Sequence, residues 1–174
     1  MNSAKKQSQK QSEVQKQQAR LIHFALKQLG KPYKYAAKKH EIGRVFDCSS
    51  FTQYIYRRIG IELPRSTILQ AECGRTIPAR KKSPYFKKND LQIGDLLFFK
   101  GTKGHFNKKF PNGIGHVMMY LGNGVFIHAS GSGPKKNQKI RLETFNNVIH
   151  RKDFQIAKRI IKTQTRAHSK PKVK

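Results

Sequence analysis

The chain has 174 residues, with 37 Lys+Arg against 9 Asp+Glu and a formal net charge of +28. That length suits one compact domain, and 36% hydrophobic residues with 11 Phe and 6 Tyr supply a core, which excludes wholesale disorder. No run approaches the ~18 apolar residues of a membrane-spanning helix, and two cysteines are too few for a disulfide-built fold.

Residues 1–13 are low-complexity Lys/Gln/Ser and read as a disordered basic tail, without the apolar run of a signal peptide. From Val14 the composition changes, and a domain is expected over 14–163. Leu21, Ile22, Ala25, Leu26 and Leu29 recur at helical steps, and Gly30-Lys31-Pro32 supplies stop signals. Lys31–Phe46 reads as a loop with aromatic anchors. A second helix follows Asp47, with Phe51, Tyr54, Ile55 and Ile59 on one face and Gly60 at its end. A polar-apolar segment follows Pro64, then a basic connector, Arg75–Asn89. Leu96-Leu97-Phe98-Phe99 is a buried-strand run between Gly94 and Gly101. Strands His116–Leu121 and Val125–Ala129 flank Gly122-Asn123-Gly124, and Phe154–Ile161 is a fourth candidate. Residues 164–174 form a basic tail. Helices first and an antiparallel meander afterwards is the order of an α+β domain.

Cys48 lies at the start of the second helix, in Phe46-Asp47-Cys48-Ser49-Ser50-Phe51. Free N–H groups and the helix dipole there favour an anion, so a thiolate nucleophile is expected at that position. The competing reading is a small buried hydrophobe. His116 opens a strand after Gly113-Ile114-Gly115, where a side chain can project from the sheet end as general base. His128 is the candidate to orient it. A three-residue Gly122-Asn123-Gly124 loop pairs Met118 with His128 and sets His116 diagonally beside them, roughly 7–8 Å away at Cα. A two-residue loop would turn the two histidines to opposite faces. Without Cys48 and His116 upstream, His128 on the apolar run Val125-Phe126-Ile127 reads as a satisfied core histidine.

Cys48, Cys73, His116 and His128 lack the close spacing of structural zinc ligands, so no metal or other cofactor is expected. Cys73 reads as a packing residue at a helix end, and Asp95 as a turn-forming one.

Five motifs in order resemble the NlpC/P60 cell-wall cysteine peptidases, over residues 20–161. They are Leu29–Tyr33; Phe46–Phe51; Leu63-Pro64-Arg65-Ser66-Thr67 with Gln70; Ile93–Phe99; and Gly115–Gly124 ending in Phe126-Ile127-His128-Ala129. The resemblance implies a papain-like fold, with N-terminal helices packed on the antiparallel meander. It implies Cys48 as nucleophile, His116 as base and His128 as its orienting residue. Tyr33 matches an oxyanion-holding tyrosine, and Asp47, Ser49, Arg65 and Ser66 match positions lining the substrate groove. The implied substrate is peptidoglycan stem peptide, cut between γ-D-glutamate and a diamino acid. Four departures bear on the placement of Tyr33 and on substrate choice: Ala36-Ala37 in place of a Gly-Gly pair, a Tyr33–Cys48 stretch longer than usual, Ser50 in place of glycine, and a basic insertion, Lys100–Gly115, carrying Lys103, His105, Lys108 and Lys109.

The charge divides as +4 over residues 1–20, +7 over 158–174 and +17 over 21–157. A basic body attracts any polyanion, and the same charge also serves as a solubilising surface. No nucleic-acid motif accompanies it, so anionic cell-envelope polymers are the expected partners and no specific nucleic acid is. The place of work implied is extracellular, at the cell wall. Two alternatives remain: a polyanion-binding protein with a vestigial thiol site, and an acyltransferase on the same fold. Oligomeric state is not legible.

Overall fold

A computed structural model describes residues 2–102 and 104–161. Among the described residues, four α-helices and six strands form one α+β unit. Helix α1 spans Asn2–Leu26 and α2 spans Cys48–Arg58; α3, Thr67–Gln70, and α4, Phe145–Ile149, are short. The strands are β1 Arg75–Thr76, β2 Leu96–Phe99, β3 His116–Gly122, β4 Val125–Ala129, β5 Ile140–Thr144 and β6 Phe154–Arg159. They make one antiparallel sheet in the order β1-β6-β2-β3-β4-β5, so β2, β3 and β4 follow the expected meander, β5 extends it with a strand not expected from sequence, and β6, the fourth candidate, pairs beside β2 and not beside β4.

Both faces of the sheet are covered, which is why Leu96–Phe99 reads as a continuous apolar run rather than an alternating one. Leu96 and Phe98 pack with Leu21, Phe51, Ile55 and Val117 beneath α1 and α2. Leu97 and Phe99 pack with Ile77, Phe86, Phe126 and Phe145 on the other side. The basic connector Arg75–Asn89 thus provides β1 and part of the second apolar layer. Strand β5 and α4 carry too little periodicity to be expected from sequence; they are held by pairing to β4 and by burial of Phe145, Val148 and Ile149.

Two expectations are corrected. The N-terminal segment expected to be disordered is helical from Asn2, although its side chains from Lys5 to Glu13 are exposed. Lys and Gln are good helix formers, and they extend a helix already nucleated by the packing of Leu21 and Ala25. Residues 162–174, with the expected basic tail 164–174, lie outside the described residues, as does Lys103.

The β3–β4 loop has two residues, not three. Gly122 pairs Val125 across Asn123-Gly124, and both turn residues adopt positive φ, 51° and 79°. A register shift between Tyr120 and Gly122 then inserts one residue into β3. Met119 faces Ile127 and Tyr120 faces Phe126, the register that a three-residue loop would have set. The bulge therefore keeps His116 and His128 on one face.

Candidate active site

Cys48 is the first residue of α2, and Asp47 is its N-cap. The Asp47 carboxylate accepts from the Ser50 N–H at 2.8 Å, and Ser50 Oγ accepts from the Asp47 N–H at 3.0 Å. Ser50, one of the departures, thereby completes a capping box that fixes the start of α2. The Cys48 thiol is buried, with Sγ 3.7 Å from Thr67 Oγ1 and 3.8 Å from the Gly115 carbonyl. Burial pushes the thiol above its ordinary range, and the Asp47 carboxylate pushes the same way; the Thr67 contact opposes them. The thiolate expected at the helix start is thus opposed in the free protein, where desolvation and the Asp47 charge both act against ionisation.

His116 begins β3, immediately after Gly115, and pairs Phe99. Its Nε2 lies 2.9 Å from Nδ1 of His128, with the rings edge to face at 5.0 Å. His116 Nδ1 is thus the ring nitrogen left for the thiol. Burial holds His116 well below the usual imidazole range, helped by His128 and the Arg151 guanidinium. His128 is lowered to about 4 by burial and then by the Arg141 charge. His128 therefore binds its proton at pH about 4 when folded and near its ordinary 6.5 when unfolded. Between those values the unfolded chain holds more protons, so stability falls as pH drops through the window, by up to about 3 kcal/mol. Denaturant melts at several pH values should show a shallower acid loss for His128→Gln. An unchanged pH slope between 6.5 and 4 would contradict this.

Tyr33 is carried to the site by backbone pairing. Its N–H donates to Gln138 O at 2.9 Å, and Tyr33 forms an isolated bridge with Phe46, two residues before Cys48. The long stretch between Tyr33 and Cys48 loops out and returns. Gly131 packs against the tyrosine ring so closely that an added Cβ would meet it at 2.5 Å. Burial raises the Tyr33 hydroxyl, with Cys48 and Asp47 adding to the effect, so it stays a proton donor.

Asp47, Ser49 and Arg65 form one network. Arg65 donates to both Asp47 oxygens, to Ser49 Oγ at 2.9 Å and to the Ala37 carbonyl at 2.9 Å. The Ala37 N–H donates to Asp47 at 3.2 Å. Ser66 caps α3 without a side-chain hydrogen bond to it. Ala36 has φ 52°, in the left-handed region, which accounts for the Gly-Gly expectation at this place. Ala36→Gly should raise stability by about 1 kcal/mol, since an L side chain is strained there. The readout is a melting temperature about 2–4 °C higher; a lower one would refute the strain.

Every sequence-predicted residue (Tyr33, Asp47, Cys48, Ser49, Arg65, Ser66, His116 and His128) lines a single cleft of about 1140 Å³. Cys73 is not in that lining; its Sγ donates to the Leu69 carbonyl at 3.4 Å. From the insertion, Gly101, Thr102, His105 and Gly115 border the cleft, while Lys109 and Asn107 anchor the loop to Glu72 at 2.7 and 2.9 Å. Asp95 accepts from the Gln92 N–H at 2.7 Å and pairs with Arg159, which ties the turn to β6.

Sequence reasoning missed Thr67 and Arg141. Thr67 stood beside Ser66 in the quoted motif. Arg141 left no signal, because only the β4–β5 register, His128 opposite Arg141, brings it to the site.

The NlpC/P60 family pattern matches residues 30–159. The chain is 31% identical over 126 residues, 72% of its length, to a gamma-D-glutamyl-L-lysine dipeptidyl-peptidase of Bacillus subtilis, of which it spans 35%. It is 36% identical over 118 residues, 67% of its length, to a probable endopeptidase of Haemophilus influenzae, of which it spans 60%. A crystal structure of an NlpC/P60 family protein from Bacillus cereus superposes on 83% of this chain and 40% of its own, with a TM-score of 0.61 and 30% identity.

Proposed function

The chain belongs to the NlpC/P60 family, and from that premise we propose that it is a cysteine endopeptidase of peptidoglycan stem peptides, cutting the bond between γ-D-glutamate and a diamino acid. The observation that carries the reading is the 2.9 Å His116–His128 contact in the cleft that also holds the Cys48 thiol. The B. subtilis relative's name supports the choice of bond.

Catalysis begins when His116 Nδ1 takes the Cys48 proton as Sγ bonds to the scissile carbonyl carbon. Negative charge moves to the carbonyl oxygen, where the Cys48 N–H at the start of α2 and the protonated Tyr33 hydroxyl donate to it. The C–N bond then breaks, and the imidazolium gives its proton to the leaving amine. A water attacks the thioester, His116 accepts its proton, and the S–C bond breaks to release the γ-carboxylate. Burial lowers both imidazoles and favours their neutral forms, so His116 can act as a base once its Nδ1 lone pair faces the thiol.

The work is done outside the membrane, at the cell wall, and the +17 of residues 21–157 holds the enzyme to anionic envelope polymers. Among the described residues no helix is long and apolar enough to cross a membrane.

Digestion of isolated peptidoglycan followed by mass spectrometry of the fragments tests the reading. New γ-D-glutamyl carboxyl ends and free diamino-acid amines are expected. Intact stem peptides would overturn it, and products joined to an added amine would reassign it as a transferase.

A further inference from the structure

Opposite His128 in the β4–β5 ladder stands Arg141, whose Nε lies 3.4 Å from His128 Nε2. A guanidinium has donors only, so His128 Nε2 must accept. The ring proton of neutral His128 is then on Nδ1, and at 2.9 Å it is donated to His116 Nε2. His116, neutral as well, carries its proton on Nδ1, the nitrogen left for Cys48. That order is the wrong one for a base, because the lone pair that should take the thiol proton is occupied.

From this geometry we infer that Arg141 is a positioning residue that latches the histidine pair in an idle proton order. Activation requires Arg141 to leave His128. Glu143 is the ready receiver, its Oε2 already 3.7 Å from an Arg141 nitrogen. Once Nε2 of His128 is free, the proton on His128 Nδ1 passes to His116 Nε2. His116 releases its Nδ1 proton to solvent, and His128 gains one at Nε2. Each ring keeps one proton and no net charge moves. His116 Nδ1 then faces the thiol as a base.

The charged and titratable groups around the pair are few enough to name. Arg141 and Glu143 come from β5, Arg151 and Asp153 from the segment after α4, and Cys48 from α2, with His105 of the insertion on the cleft wall. Arg151 is committed to Asp153 by two hydrogen bonds, at 2.9 and 2.7 Å, and lies over the Phe99 ring. Arg141 makes the looser contacts and sits with 39% of its side chain exposed, which suits it to move when a substrate fills the cleft.

The test is the tautomer of each ring, read from long-range proton–nitrogen correlations of ¹⁵N-histidine-labelled protein and assigned with His116→Gln and His128→Gln. In the wild-type protein without substrate, both histidines should carry their proton on Nδ1. In Arg141→Met, His128 should change to the Nε2–H form, and Cys48 alkylation by iodoacetamide at pH 6–7 should quicken about tenfold, the effect of one pKa unit on the charged population. Arg141→Lys, which keeps a donor, should restore the wild-type tautomer. A wild-type His128 protonated on Nε2 overturns the inference without any variant, as does an unchanged tautomer in folded Arg141→Met. The significance for catalysis rests on Cys48 and His116 acting as proposed above. The tautomer measurement needs no substrate, so an inactive protein with the expected spectra would refute the peptidase reading alone.

Discussion

Under the proposed thiol mechanism, Cys48→Ala should abolish hydrolysis of isolated peptidoglycan, by at least about a thousandfold relative to the wild-type protein, because the acyl-enzyme bond then has no atom to form from. His116→Ala should fall nearly as far, since a thiol pushed up by burial and by Asp47 is not ionised without a base. His128→Ala should lose less, about ten- to a hundredfold, because it removes the orientation of the ring and leaves the base itself. Double variants should not lose the product of the single losses, since the three side chains act as one unit. The measurement is the initial rate of fragment release at pH 7 for each folded variant. Full activity in Cys48→Ala would end the thiol mechanism. A His128→Ala loss equal to that of Cys48→Ala would give His128 a larger part than orientation.

Asp47→Ala should be the most destabilising single change at the site, by about 3 kcal/mol or more. One carboxylate, 5% exposed, caps α2, accepts from Ser49 Oγ and from the Ala37 N–H, and pairs with Arg65. Its loss removes a helix cap worth about 1 kcal/mol and leaves a guanidinium facing a half-buried network without its partner. Thermal melting should drop by about 10 °C for a chain of this length. A drop under about 2 °C would mean that water replaces the carboxylate. Asp47→Asn separates the two functions of the residue. It retains an acceptor for the Ser50 N–H but removes the negative charge that raises the Cys48 thiol. The asparagine variant should therefore melt between the other two and react faster with iodoacetamide near pH 8.

Much of the site was legible because its signals are local. Asp47 before Cys48, with an apolar face at Phe51, Ile55 and Ile59, marks a capped helix carrying a cysteine at its first position. Leu96–Phe99 marks a strand buried on both faces. His116 and His128 flank a Gly-Asn-Gly turn. Each reading depends on a few consecutive residues and on periods that chain geometry imposes. The register of the two histidines was also inferred correctly, although by a different loop from the one that forms. A two-residue turn alone would have separated them, and one extra residue bulged from β3 restores their common face.

Less local features were not legible. Strand β5 has no alternation strong enough to stand alone and exists because β4 offers it an edge. The low-complexity start of the chain looked disordered because composition measures burial, whereas a helix already nucleated by Leu21 and Ala25 extends through Lys and Gln by propensity.

By itself, the sequence determined which side chains the proposed chemistry would draw on and in which order they occur: a cysteine on a helix start, then two histidines on neighbouring strands, within a strongly basic body. Local backbone preference and side-chain periodicity are written in consecutive residues. Only the tertiary structure decided how those groups are desolvated. Burial at the junction of helix and sheet pushes the thiol up and both imidazoles down, against the helix dipole that alone would favour a thiolate. Only the tertiary structure brought Arg141 to His128 and Arg65 to Asp47, because desolvation and cross-strand pairing depend on residues distant in the chain.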